Sequence, residues 1–425
     1  MSNSLASVLR EHLANASQFC KALQTFTFHF QTCEAFESLC RRCEANLASL
    51  RLTRKEAINI GHAAMEDDAD LTSILALLLS ESEHDQPSTS EQTIFLLRHQ
   101  SPEIRLSAWC GLRLASPRHV EPHLRALLVK PKWDFASAAA LDILAFHRLP
   151  VQAEFVEPPA QEDDKIAWLL VEAGGRMRGD WKATHLKQFL GHASPRVRAA
   201  ALRASARSSL PNLHALCRER SFAAQEPDLE CLRFLGVVGE PADVKNLLTI
   251  AKKDELRLAA FEAIGRLGFV DSIPILIEAL SDPALIEPAA AAFQRIIGEP
   301  VRRGDPLPPP ADATEEQLDF DDPIVPVDIK ATKAWWSSES HRFPRGERFR
   351  AGHCVSENPL GTVYDHLPGD ARLDVYLRER ALKGQGVPDM EPETWWYRQR
   401  NPGGPWKPYN AEEDASLVPL PPRRM

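Results

Sequence analysis

The sequence predicts an all-α chain whose central part is an α-solenoid of about seven helical hairpins. Three observations carry this. First, two successive hairpins between Pro241 and Gly298 share one pattern. Val244, Leu247, Leu248 and Ala251 line one helical face at i, i+3, i+4, i+7, and Leu256, Ala259, Ala260, Ala263, Ile264 and Leu267 line the next. Ile273, Leu276, Ile277 and Leu280 then restart the pattern, and a last helix runs from Leu285 to Ile297. Second, the starts of the second helices align at Ile104, Phe135, Ile166, Val197, Leu229, Leu256 and Ile286, at intervals of 27 to 32 residues. A hairpin with one apolar stripe cannot bury it alone, so a constant period means stacked neighbours. Third, three openings match: Ser101-Pro-Glu-Ile-Arg105, Ser194-Pro-Arg-Val-Arg198 and Lys253-Asp-Glu-Leu-Arg257. Serine caps the first N–H groups of a helix, and proline at its first position has none to leave unbonded.

Taken in order, residues 1–91 read as a helical N-terminal module outside the repeat. Leu5, Val8, Leu9 and Leu13 form one stripe, and Phe36, Leu39, Cys43, Leu47 and Leu50 another. Thr25 to Phe30 alternates as a short strand or an aromatic loop would. Cys40-Arg-Arg-Cys43 is a CxxC with no second pair, and Cys43 lies on the apolar stripe, so buried thiols fit better than a zinc site. Residues 92–298 form the repeat block, and its alanine runs (Ala138 to Ala140, Ala199 to Ala201, Ala289 to Ala292) allow close helix approach. Residues 299–330 carry seven prolines and nine acidic against three basic residues, an extended acidic linker. Residues 331–425 hold five of the nine tryptophans (Trp335, Trp336, Trp395, Trp396, Trp406), with a helix from about Ala371 to Leu382, and read as an aromatic cap and tail.

Composition narrows the function classes. Apolar residues make up 44% and charged residues 26%, as in an ordinary soluble protein. The net charge of −9 disfavours nucleic acid unless a local basic stripe exists. Eight cysteines without paired spacing point to a reducing compartment, and with no signal-like start or spanning apolar run the expected location is the cytoplasm.

The x-P-x-[IV]-R-x-x-A segments and the period of about 30 residues resemble HEAT repeats of the short bacterial type over residues 92–298. The segment Cys43-Glu-Ala-Asn-Leu-Ala-Ser-Leu-Arg-Leu52, the repeat block and Trp336 to Gly352 together look like a family of HEAT-repeat proteins of Gram-negative bacteria. Members of that family are often encoded beside type VI secretion genes, so the resemblance implies a setting and no reaction. The match ends near residue 384.

No phosphate-binding glycine loop, HExxH or GxSxG is present, so no catalytic, cofactor-binding or metal-ligating residue is assigned. His353 and Cys354 are neighbours, which on a strand places them on opposite faces rather than as a nucleophile and its base. Arg105, Arg198 and Arg257 recur at one repeat position, as a ladder that either binds an anion or, the better reading, holds the stack together. Trp335, Trp336, Arg342, Arg345 and Arg348, with Trp395, Trp396 and Tyr397 of the tail, are the candidate partner-binding residues, because Trp, Tyr and Arg dominate binding hot spots. The expected function is a non-enzymatic protein-binding scaffold or adaptor associated with type VI secretion. An immunity protein blocking a cognate toxin and a HEAT-fold enzyme acting on a nucleobase or chromophore are the alternatives. The expected partner is a protein (secretion component, effector or toxin), with nucleic acid and membrane insertion disfavoured.

Overall fold

A computed structural model describes residues 3–24, 33–81, 87–115, 117–128, 133–151, 163–177, 183–223, 227–306, 325–387 and 390. It is all-α, apart from one two-stranded ribbon among the described residues. Two compact units divide near Asp180–Trp181, inside the span 92–298 that the sequence reads as one array. No described helix is long and apolar enough to cross a membrane.

The first unit contains α1 (Asn3–Gln24), α2 (Cys33–Leu52), α3 (Arg54–Ala64), α4 (Thr72–Ser80), α5 (Pro87–Leu97), α6 (Pro102–Leu114), α7 (Pro117–Leu128), α8 (Phe135–Phe146) and α9 (Asp164–Arg176). The apolar stripe of α2 points inward: Phe36, Cys40, Cys43, Leu47 and Leu50 are buried. The short run Thr72–Ser80 is buried on every side and packs against α6. Its all-round burial explains why it has no polar face. Ser101 caps α6 by accepting the Ile104 N–H at 3.2 Å, with Pro102 at the first position. Asp134 and Ser137 form a reciprocal capping box on α8.

The second unit contains α10 (Ala183–Leu190), α11 (Pro195–Arg207), α12 (Leu213–Ser221), α13 (Leu229–Val238), α14 (Asp243–Ile250), α15 (Asp254–Leu267), α16 (Ile273–Ala279) and α17 (Ile286–Ile297). Each even-numbered helix packs on the odd one that follows, and α11, α13, α15 and α17 pack on one another in succession. All seven aligned repeat positions, from Ile104 to Ile286, lie within the first turn of a helix. The first helix expected before Ile166 falls on residues 152–162, outside the described set. So do the Thr25–Phe30 alternation and residues 307–324 of the acidic linker.

The described ends of that linker are joined. Arg303 and Val327 form an antiparallel bridge, Gly304 N–H donates to the Pro326 carbonyl and Asp328 N–H to the Arg302 carbonyl. A tryptophan-bearing helix follows (Ile329–Glu339), then β1 (Phe349–Arg350) and β2 (His353–Cys354), and, last among the described α-helices, Gly369–Lys383, slightly longer than its sequence pattern suggests.

The ribbon docks on helix ends. Phe349 N–H donates to the Gly268 carbonyl just past α15, while Ala351 and Gly352 donate to the Arg295 and Ile296 carbonyls of α17. Gly268 and Gly298 close their helices with φ of +77° and +82°. A Cβ at Gly268 would stand 2.5 Å from the Phe349 oxygen, and one at Gly298 would stand 2.6 Å from Ala351. Gly346 has a similar φ of +79° but open space around it. Gly346→Ala should therefore cost about 1–2 kcal/mol, the ordinary left-handed penalty. Gly268→Ala should cost clearly more, because backbone oxygen must move. Urea unfolding of both variants measures the difference, and equal losses would show that ribbon docking does not require the glycine.

Candidate functional site

The described residues gather their charged and aromatic side chains in three places, and the largest is an arginine clasp in the second unit. A helix ends with carbonyls that have no intrahelical partner and carry partial negative charge. Arginine, a rigid fork of donors with a fixed positive charge, suits such an end. Arg348 donates through Nε to the Leu267 carbonyl at 2.6 Å, and Arg350 through Nη1 to Gly265 at 3.2 Å, both at the end of α15. Arg378 donates to Val237 and Gly239 at the end of α13, at 3.0 and 2.8 Å. Arg380 donates through Nε and Nη2 to the Arg207 carbonyl closing α11, at 3.1 and 2.7 Å. With the ribbon on α17, one C-terminal segment satisfies four consecutive second helices.

Asp374 is the counter-ion at the centre. It is 4% exposed and accepts from Arg266 at 3.0 and 2.6 Å and from Arg350 at 2.8 Å. Burial alone would raise its pKa, but Arg266 and Arg350 outweigh burial and hold the carboxyl below its ordinary range. Of these arginines only Arg348 is a candidate on sequence grounds, as a partner-binding residue. Its guanidinium is buried on the Leu267 carbonyl, so it does not belong to an exposed contact surface.

The Arg105, Arg198 and Arg257 side chains cap helix ends locally. Arg105 donates to the His99 carbonyl at 2.9 Å and Arg198 to His192 at 2.9 Å, each reaching back to the segment that precedes its own helix. Arg257 donates to Ala251 at 3.4 Å and pairs with Asp254, and Arg198 lies 3.4 Å from Asp228. His99 and His192 accept the N–H of Ser101 and Ser194 through Nδ1, at 3.2 and 3.1 Å, so one turn is built twice.

The second place is an aromatic file. Phe293, Trp335, Trp336, Phe343 and Phe349 follow one another with ring centroids 6.0, 6.5, 5.8 and 5.1 Å apart. Its inner rings are buried while Trp335 and Trp336 are half-buried. The Arg302 guanidinium lies 4.8 Å from the Trp335 ring centroid. Arg342 and Arg345 are exposed, and Arg342 pairs with Glu339 at 2.8 Å. Thus Trp335, Trp336, Arg342 and Arg345 share one neighbourhood, whereas Trp395, Trp396 and Tyr397 lie outside the described residues.

The third place is buried in the first unit. Asp142 accepts from Trp109 Nε1 at 2.8 Å and from Arg176 at 2.7 Å, and Arg113 stacks 4.1 Å over Phe146. Burial raises the Asp142 carboxyl against the pull of Arg176 and Arg113. Cys40 and Cys43 are buried, and burial first, with Glu44 beside it, pushes the Cys43 thiol up. His353 stacks on His366 at 5.6 Å while Cys354 is exposed and directs Sγ toward Glu347, so the neighbouring pair is divided between faces.

No family model and no curated protein matches this chain. Among solved structures it is similar to an engineered protein determined by the Northeast Structural Genomics Consortium, at 12% identity over 87% of this chain and 99% of that one. The TM-score is 0.27, too low to carry an argument.

Asp374 gives a signed prediction. Its pKa is depressed on folding, so its contribution is complete above the unfolded value of about 4 and is lost as pH falls through the lower folded value. Asp374→Asn should destabilise the second unit by roughly 3–5 kcal/mol, since the buried Arg350 and the partly buried Arg266 lose their counter-ion. It should also flatten acid unfolding below about pH 4. Hydrogen exchange of the α15 amides across that range checks both, and a variant that retains the wild-type acid response would refute the assignment.

Proposed function

We propose that the chain is a non-enzymatic protein-binding scaffold of about seven HEAT-like hairpins, acting as an adaptor in the cytoplasm of a bacterium with a type VI secretion system. The observation that carries the reading is the row α11, α13, α15 and α17, held in register by a segment of the same chain. A surface fixed before binding loses little conformational freedom on binding, which favours recognition of a folded partner. The common entry of all seven second helices at one repeat position supports the HEAT-like reading. The residues resembling the secretion-linked family supply the setting. They include Trp336 to Gly352, which in this fold contains Trp336 and the residues Phe349, Ala351 and Gly352 that dock the ribbon.

The test is recovery of partners by the full-length chain from cells that express a type VI system. A secretion component or effector should be enriched over a control bait. Recovery of none, with the bait folded and abundant, would overturn the adaptor reading. Recovery of a toxin that the chain neutralises would replace it with the immunity reading.

A further inference from the structure

The scaffold reading leaves open which surface meets the partner and what that partner must look like. The tryptophan helix is anchored firmly. Asp328 caps it by accepting the Ala331 N–H at 2.8 Å, and the fully buried Thr332 hydroxyl accepts the Arg302 N–H while donating to the Asp328 carbonyl. Trp335 meets Phe293 edge-on and Trp336 meets Phe343 at a tilt of 36°, so both half-buried indoles rest on buried rings. On the outer side of the same helix Lys330 and Lys333 are exposed, one turn apart, and Arg345 is exposed in the turn that follows.

Charge then discriminates. Residues 329–346 carry four cationic side chains and one carboxylate, in a chain whose net charge is −9. That carboxylate, Glu339, is committed to Arg342. Lys330, Lys333 and Arg345 reach no carboxylate at ion-pair distance among the described residues, whereas most other arginines described above have a fixed partner. Unpaired cations beside rigid, half-exposed indole rings form a surface with a specific complement: carboxylates flanking an apolar side chain.

We propose that the outer side of the tryptophan helix and the turn after it, with Lys330, Lys333, Trp336 and Arg345 as contacts, docks an acidic segment of a protein partner that carries at least one apolar side chain. This deepens the scaffold reading and rests on it. A protein segment is favoured over nucleic acid because a long polyanion would be repelled by the rest of an acidic chain, while a short segment meets only the local cations.

The full-length chain is titrated with a labelled peptide of alternating glutamate and leucine, and anisotropy is followed at two salt concentrations. Binding should weaken with salt, and K330E/K333E should weaken it about tenfold or more, with Arg345→Glu weakening it further. All three side chains are exposed, so an unchanged unfolding midpoint verifies that the variants remain folded. Unaltered affinity in K330E/K333E, no binding by the wild type, or equal binding of a charge-matched single-stranded oligonucleotide or of anionic phosphatidylserine vesicles would each overturn the proposal. The two readings separate when K330E/K333E is used as bait. If it recovers the same secretion component as the wild type, the docking surface is wrong and the scaffold stands. If the peptide binds through these lysines while the wild type recovers no secretion component, the surface stands and the adaptor role falls.

Discussion

The second unit depends on how it treats the carbonyl ends of its helices. A stack of parallel second helices brings several partial negative ends to one edge, where they repel one another and lack hydrogen bonds. Here the chain returns and covers that edge with Arg348, Arg350, Arg378 and Arg380 and with three backbone N–H groups of the ribbon and its turn. Burying Arg348, Arg350 and Arg380, and Arg378 in part, would be unfavourable without compensation, because each guanidinium leaves water. The carbonyls and the single central carboxylate of Asp374 provide it, so the clasp and the stack stabilise each other and neither is arranged well alone.

This changes the cooperativity expected of a repeat protein. Stacked hairpins ordinarily interact only with their neighbours, so stability is close to a sum over repeats and ends fray independently. A segment touching α11, α13, α15 and α17 links repeats that are not adjacent. Local opening of the α15 end then disturbs Arg350, and through Asp374 both Arg266 and the helix Gly369–Lys383 that carries the carboxylate. The first unit solves its own charge problem differently, by enclosing Asp142 with Trp109 and Arg176 inside the helix packing rather than across an edge.

The helices were legible because their signal is local: apolar spacing, the Ser-Pro openings and glycine closures each specify conformation within a few residues. Ser101 and Pro102 start α6 as their chemistry requires, and Gly268 and Gly298 end α15 and α17. The aromatic neighbourhood of Trp335, Trp336, Arg342 and Arg345 was legible too, since one helix and its turn hold them together. The clasp was not. Arg378 and Val237 are 141 residues apart, and nothing in the helix Gly369–Lys383 distinguishes an arginine destined for a distant carbonyl from a solvated one. Arg348 was misassigned for the same reason, its exposure being decided by α15. The period of 27 to 32 residues spans the division near Asp180, because periodicity reports the unit of folding and carries no information on where a body ends.

Gly268 and Gly298 stand at the same repeat position, one hairpin apart, and the ribbon touches them with Phe349 and Ala351, two residues apart. Repeat arrays commonly lengthen or shorten by duplication and loss of whole units, since any repeat can stack on any other. In this unit such a change would move one notch by a full helix pair while the strap that joins them kept its length. The clasp acts as a gauge, and the number of hairpins between its two ends is fixed by its own reach.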